Sequence, residues 1–141
     1  MSVKINTHQI VFSYLDKPIK TVRMNKRVQA GLEAACLELR AYGYTEIATL
    51  GIICNRMMRS GYGTSLHSEG NRINGYKHWE DGSHGSRAID IVAIVHSDPA
   101  KTKLFNTDRK WMIAFWQKHG FTVYHKGVKG DPKSNHIHIE M

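Results

Sequence analysis

Apolar and polar side chains alternate along residues 135–141, and this period of two is typical of a half-buried β-strand. One predicted face carries isoleucines and the other carries two imidazoles and a carboxylate: Ile137 and Ile139 against His136, His138 and Glu140. The isoleucines would seat the strand on a core. Two histidines at positions i and i+2 of a strand are able to approach one metal ion, and a solvated, histidine-rich strand edge is the alternative interpretation.

The rest of the chain contains two stretches of helical periodicity and several of strand character. A helix is predicted over 25–41, with Asn25 as its N-cap and Gly43 as its stop, because apolar residues recur there at helical spacing. A second helix is predicted over 107–119, with Thr107 or Asp108 as its cap, Lys118 or His119 as its last residue and Gly120 as its stop. Strands are predicted at 46–54, 88–95, 121–125 and 136–140, and an N-terminal hairpin at 8–14 and 19–24 with a turn at 16–18.

This order of elements predicts an α+β fold in which a small, mostly antiparallel sheet carries both helices. The 141 residues are enough for one domain, spanning 1–141, with a core of its own. A stretch rich in Gly, Ser, Asn and His, from about 56 to 87, separates two predicted strands. Loops of this length are uncommon inside small domains and are usually functional or disordered, and the aromatic residues in this one favour a function.

The composition narrows the choice of partner and compartment. A formal net charge of +8 predicts attraction to a polyanion: nucleic acid, an anionic cell wall or a membrane surface. The basic residues are scattered, which argues against a dedicated nucleic-acid arm. Cys36 and Cys54 have apolar neighbours and are predicted to be buried free thiols, with a disulfide as the less favoured alternative. No transmembrane segment or secretory signal is found, which predicts synthesis in the cytoplasm.

Asp90 stands inside the apolar strand 88–95, where an unpaired carboxylate would be costly. We therefore expect it to be hydrogen-bonded, ion-paired or bound to a metal. A catalytic zinc site needs about three protein ligands and an open position for water. Asp90, His138 and one histidine of the long loop are candidates for these ligands. Zinc in such a site lowers the pKa of its water to about 7 and polarises a carbonyl.

Three pieces of the sequence resemble the signature of one group of zinc enzymes. Residues 65–70 (SLHSEG) and 87–90 (RAID) match the two halves of the motif S-x-H-x-x-G-x-A-x-D when 71–86 is left out. Residues 136–138 (HIH) match an H-x-H motif. From about residue 45 onward, the chain resembles the D-alanyl-D-alanine metallopeptidases and related phage endolysin peptidases, whose zinc fold is shared with the hedgehog signalling domain.

The resemblance implies a Zn²⁺ ion held by His67, Asp90 and His138. It also implies that Arg56 holds a carboxylate of the substrate, a role that suits the planar guanidinium, and that Ser65 contributes to substrate binding. The substrate would be a short peptide of bacterial peptidoglycan that contains a D-amino acid. Zinc-bound water would attack the scissile amide, and the metal would stabilise the resulting oxyanion.

The chain departs from the family pattern at its first zinc ligand. The segment 71–86 is inserted between His67 and Asp90, and we expect it to be a lid, a specificity loop or a tolerated surface loop. His84, inside the insertion, is an alternative to His67 as the first ligand. The residues that flank His67 match the motif, whereas those that flank His84 match it poorly.

A second departure concerns proton transfer. Asn135 stands where many members of the family carry an acidic general base, and an amide is unable to take a proton in that role. The resemblance implies that His136 and the residue at position 135 manage protons. Glu69, Asp131 or His136 could replace the missing base.

The leading hypothesis is therefore an endolysin-like zinc peptidase with endopeptidase or carboxypeptidase activity. It would be a monomer, would reach the wall after release, as in a phage-infected host, and would be attracted by anionic wall polymers. A non-catalytic zinc domain that binds wall fragments or a protein is the second hypothesis, motivated by Asn135. A nucleic-acid enzyme or binder is less favoured, because the sequence has no glycine-rich phosphate loop and no aromatic-lined basic platform.

Overall fold

The computed structural model describes residues 3–4, 9–14, 17–18, 21–22, 26–51, 87–124 and 136–141. The strands in this part are β1 (Val3–Lys4), β2 (Val11–Tyr14), β3 (Lys17–Pro18), β4 (Thr21–Val22), β5 (Tyr44–Gly51), β6 (Ala88–His96), β7 (Lys103–Leu104), β8 (Thr122–Tyr124) and β9 (Ile137–Glu140). The helices are α1 (Lys26–Ala41) and α2 (Arg109–Lys118), with a 3-10 turn at Pro99–Lys101. The predicted α+β class is confirmed.

Seven of the described strands form one open sheet in the order β3-β2-β5-β6-β9-β8, with β7 beside part of β6. Neighbouring strands are antiparallel except β2 and β5, which are parallel. Parallel strands need a long crossover connection, and α1 lies in the one that joins β2 to β5. Strand β6 pairs with β5 on one side and with β9 on the other, so it places Asp90 inside the sheet.

The core lies between one face of this sheet and the two helices. The helices contribute Val28, Leu32, Ala35, Cys36 and Leu39 from α1, and Met112, Phe115 and Trp116 from α2. Strands β6 and β9 contribute Ile89, Ile91, Ile137 and Ile139, whose side chains are 0% exposed. Burial of one isoleucine stabilises the fold by about 1.5–3 kcal/mol. The polar residues that alternate with them are therefore directed to the opposite face of the sheet.

Helix α1 ends where the sequence predicts, at a glycine in the left-handed region. Gly43 has φ of 90°, and a Cβ added there would lie 2.8 Å from Nε2 of His96. His96 Nδ1 accepts the Asp98 N–H (2.8 Å), and its Nε2 donates to the Tyr42 carbonyl (2.7 Å). The end of β6 is thus tied to the end of α1. The predicted N-cap, Asn25, lies outside the described residues.

Helix α2 starts at Arg109, directly after Asp108, which is one of its two predicted caps. Asp108 is its N-cap residue but makes no side-chain cap bond. Its Oδ2 instead accepts the Leu104 N–H and the Thr107 hydroxyl, both at 2.9 Å. These bonds, the Leu104 one first, lower the pKa of Asp108 below its usual 3.8. Gly120, with φ of 88°, follows the helix as predicted.

The N-terminal strands differ from the predicted hairpin. Within the described residues, β4 pairs with β1, and β2 pairs with β3, which falls in the predicted turn. Strand β3 is the outermost strand of the described sheet, which is the position in a sheet where proline is tolerated. Strand β5 begins at Tyr44 rather than at 46, and residues 52–54 of its predicted span lie outside the described residues.

Candidate metal centre

The candidate centre forms where β6 and β9 pair. Asp90 and His138 are directly opposite each other in this antiparallel ladder, and their neighbours Ile89 and Ile139 are also partners. Cross-strand partners project from the same face of a sheet. Because the isoleucines face the helices, the carboxylate and the imidazole face away from the core together.

Three polar side chains meet on this open face. His138 Nδ1 lies 2.9 Å from Asp90 Oδ1, which is a hydrogen-bond distance. His136 Nε2 lies 3.6 Å from the same oxygen. The side chains of Asp90, His136 and His138 are 22%, 17% and 12% exposed, so the cluster is partly shielded from water. The expectation that the Asp90 carboxylate is paired is confirmed.

A second carboxylate and an aromatic ring flank His138. Its Nε2 lies 3.4 Å from Glu140 Oε1, so a carboxylate stands near each ring nitrogen. Tyr124 is the partner of His138 in the β8–β9 ladder, and the two ring centroids are 5.8 Å apart. The alternating sequence pattern predicts that Glu140 lies on this face but indicates no function for it. Tyr124 carried no recognisable signal, because the pairing of β8 with β9 is not visible in the sequence.

The far end of β9 is held in register by Arg87. The Met141 N–H donates to the Arg87 carbonyl (3.1 Å), and Arg87 Nε donates to the main-chain oxygen of Met141 (2.7 Å). The Met141 side chain reaches α1, where a Cβ added to Gly31 would lie 2.9 Å from its Cε. These contacts keep His138 opposite Asp90, since a slip by one residue would turn His138 towards the core.

The structure brings together three of the predicted site residues, Asp90, His136 and His138. The other predicted site residues lie outside the described residues: Arg56, Ser65, His67, Glu69, His84 and Asn135. The same holds for the predicted insertion at 71–86. In the part of the chain that the structure describes, no group of three or more His, Cys, Asp or Glu side chains is arranged to hold a metal ion.

Cys36 takes no part in this chemistry. It is a buried free thiol in α1, as predicted. Burial, with a smaller effect of the Glu33 charge, raises the pKa of this thiol to about 12. A buried thiol with a raised pKa forms little thiolate at neutral pH, which makes it a poor nucleophile and a poor metal ligand. Cys54 lies outside the described residues.

Comparisons of the chain with models of protein families, with curated proteins and with solved structures find no match. Neither of the two described helices is long and apolar enough to cross a membrane. The indications of function therefore come from the chemistry of the candidate centre and from the motifs that place residues in it.

Proposed function

We propose that this protein is a zinc-dependent peptidase of bacterial peptidoglycan, with the zinc fold of the D-alanyl-D-alanine peptidase and hedgehog type. The observation that carries the proposal is the pairing of Asp90 with His138. These residues belong to two separate motifs, R-A-I-D and H-I-H, yet they stand opposite each other with donor atoms 2.9 Å apart. If the two short motifs matched only by chance, there would be no reason for Asp90 and His138, the last residue of each, to lie opposite each other in the sheet.

The donor atoms of this pair suit a zinc ion. Carboxylate oxygens and imidazole nitrogens are zinc ligands, and with bonds of about 2.0–2.2 Å, neighbouring ligand atoms in a tetrahedral site are about 3.3–3.6 Å apart. Asp90 Oδ1 lies 2.9 Å from His138 Nδ1, so the two atoms would have to move apart by about 0.4–0.7 Å around a bound ion. We assign Asp90 and His138 as ligands, with His67, or alternatively His84, as the third.

The described side chains around the ligands have distinct tasks. When bound, the zinc ion would polarise the scissile carbonyl and lower the pKa of its water. Glu140, 3.4 Å from His138 Nε2, holds the imidazole so that Nδ1 stays directed at Asp90. The Nε2 atom of His136 lies beside the Asp90 carboxylate, and we assign His136 to proton transfer with the substrate.

The remaining assignments rest on the motif resemblance alone. Glu69 shares the proton-transfer role with His136, because the amide of Asn135 has no basic group. Arg56 and Ser65 bind the peptide substrate. The net charge of +8 would bring the protein to anionic polymers of the wall, where it acts after release from the cytoplasm of a lysing cell.

Digestion of purified peptidoglycan, followed by mass spectrometry of the released fragments, tests the proposal and identifies the bond. We expect a new fragment from the native protein, its loss on addition of a chelator and its return with Zn²⁺. The peptidase would be excluded if folded protein, shown by metal analysis to contain zinc, released no fragment.

A non-catalytic zinc domain is the second candidate, and Asn135 is the observation that favours it. Such a domain would bind wall peptides with the same zinc dependence but leave them intact. Equilibrium binding of a wall peptide, measured beside the digestion, separates the two candidates. Binding without a new fragment supports the second candidate, whereas binding with a new fragment rejects it.

A further inference from the structure

A second cleft lies at the opposite end of β6 from the candidate centre. Asp90 is near the start of this strand and His96 is at its end, about 20 Å away at roughly 3.3 Å per residue. The cleft has a volume of about 670 Å³ and lies between α1, α2 and the segment 100–103. Clefts of this size hold small ligands.

Lysines dominate the charged lining of the cleft, which contains Lys101, Lys103, Lys118 and Glu38. Glu38 is already engaged, because its two carboxylate oxygens contact Lys118 Nζ and His119 Nε2. Lys103 has a long ion-pair distance of 4.0 Å to Asp108. Lys101 makes no ion pair with any residue that the structure describes. The cleft therefore has positive charge available for a ligand.

Aromatic rings line the inner wall of the cleft and cover one another. Trp111 and Phe115 are stacked, with centroids 5.1 Å apart and planes at 5°, and Tyr44 lies 5.7 Å from Trp111. Tyr44 and Phe115 are each 6% exposed. Such a wall lowers the local dielectric constant and strengthens the attraction between an ammonium group and an anion. Tyr42, which also lines the cleft, is 69% exposed and leaves one ring surface open to a ligand.

We infer that this cleft binds a phosphate ester of a sugar or polyol, with Lys101 and Lys103 holding the phosphate. Lysine binds phosphate as a point charge and needs no planar, two-point geometry. The ligand is either a repeat unit of an anionic wall polymer or a free sugar phosphate, since both present the same group. The inference does not rest on the proposed peptidase activity, because none of the cleft residues belongs to the candidate centre.

Titration of the whole protein with glycerol 3-phosphate, followed by NMR of backbone N–H groups, tests this inference. We expect saturable shifts at residues 96–104 and 111–118, with no shifts from uncharged glycerol. The Lys101→Gln/Lys103→Gln variant should bind about tenfold more weakly. The control Lys26→Gln/Lys110→Gln removes the same charge from two exposed lysines outside the cleft and should bind within about twofold of the native protein.

Equal weakening in both double variants would overturn the inference, because it would show attraction by net charge alone. So would an absence of shifts, or shifts in these residues with an oligonucleotide but not with glycerol 3-phosphate. Should the double variant unfold, Lys101→Gln alone decides, since this exposed side chain has no ion pair in the described part of the chain. Cosedimentation with cell walls, either intact or stripped of phosphate polymers, distinguishes the two sources of the phosphate ester. Weaker binding to stripped walls supports the wall polymer as the ligand. Equal binding to both supports the free sugar phosphate.

Discussion

Two histidine–carboxylate contacts in the described part of the molecule have similar distances but different surroundings. In the candidate centre, His138 Nδ1 lies 2.9 Å from Asp90 Oδ1 on neighbouring strands. Between the helix ends, His119 Nε2 lies 2.6 Å from Glu38 Oε2. The distance between an imidazole and a carboxylate therefore does not by itself mark a functional site. The groups around each pair are what separate them.

The contact of Glu38 with His119, the helix pair, is a structural interaction in which the carboxylate charge is already balanced by Lys118. One carboxylate oxygen contacts the Lys118 ammonium and the other contacts His119, so α1 is joined to the end of α2. The Asp90 pair instead combines two imidazoles with two carboxylates, those of His136, His138, Asp90 and Glu140. These are the donor types that zinc prefers, and they stand on a sheet face directed away from the core.

Removal of the Asp90 charge should have the largest effect on function. We expect Asp90→Asn to lower the rate of wall-peptide cleavage by a factor of about 100 or more, because a metal ligand supports several kcal/mol of transition-state stabilisation. Glu38→Gln, the matched change in the helix pair, should leave the rate within about twofold. The rates of fragment release by the native protein, Asp90→Asn and Glu38→Gln, measured at equal zinc saturation, test this prediction. Similar rates for Asp90→Asn and the native protein would remove Asp90 from the centre.

The same comparison separates what the sequence predicts from what it does not. Periodicity identified both helices and the core face of β9, because burial imposes a period on the chain. The isolated Asp90 in an apolar strand indicated a paired carboxylate, since its apolar neighbours in the sequence predict burial and an unpaired buried carboxylate is costly. Both inferences need only local sequence, and the described structure agrees with both.

Contacts between distant segments were not predictable in this way. The pairing of His119 with Glu38 depends on how α2 docks against α1, and no local pattern specifies that docking. The exchange of strand partners near the N-terminus has the same origin, because short strands have weak register signals. His138 was grouped with Asp90 as a candidate zinc ligand by residue type and by the motif resemblance, and not by any signal for the pairing of their strands. His67, the third member of that set, lies outside the described residues, so its position stays a prediction.

Loss of Glu140 should have an intermediate effect, limited to the strand pair. Glu140→Ala should weaken zinc binding about tenfold, because the carboxylate near His138 Nε2 orients a metal-binding imidazole. Competition with a chelating dye measures the affinity, and NMR of the His138 ring reports its orientation without any activity assay. Glu33→Ala, an exposed carboxylate on α1, is the control. Unchanged affinity and ring signals in Glu140→Ala would show that Glu140 has no positioning role.

The smallest effect is expected from the helix pair, and it concerns stability. Burial acts to raise the pKa of Glu38, but the hydrogen bonds from Lys118 and His119 outweigh it, so the pKa lies below its usual 4.5. A carboxylate whose pKa is lowered by folding stabilises the fold above its ordinary pKa, and this contribution is lost as the pH falls through the lowered value. We expect Glu38→Gln to reduce the free energy of unfolding by about 0.5–1 kcal/mol near pH 7, a difference that disappears in acid.

Urea denaturation of the native protein and of Glu38→Gln at several pH values measures this difference. Glu33→Gln is the control on the same helix, because it removes one carboxylate whose described side-chain hydrogen bond is a long one, 3.4 Å, from Gln29. A Glu38→Gln penalty that persists below the lowered pKa would mean that the side chain acts through packing and not through its charge. The helix pair would then no longer be an electrostatic counterpart to Asp90 and His138, and the two sites would differ in the kind of interaction as well as in their neighbours.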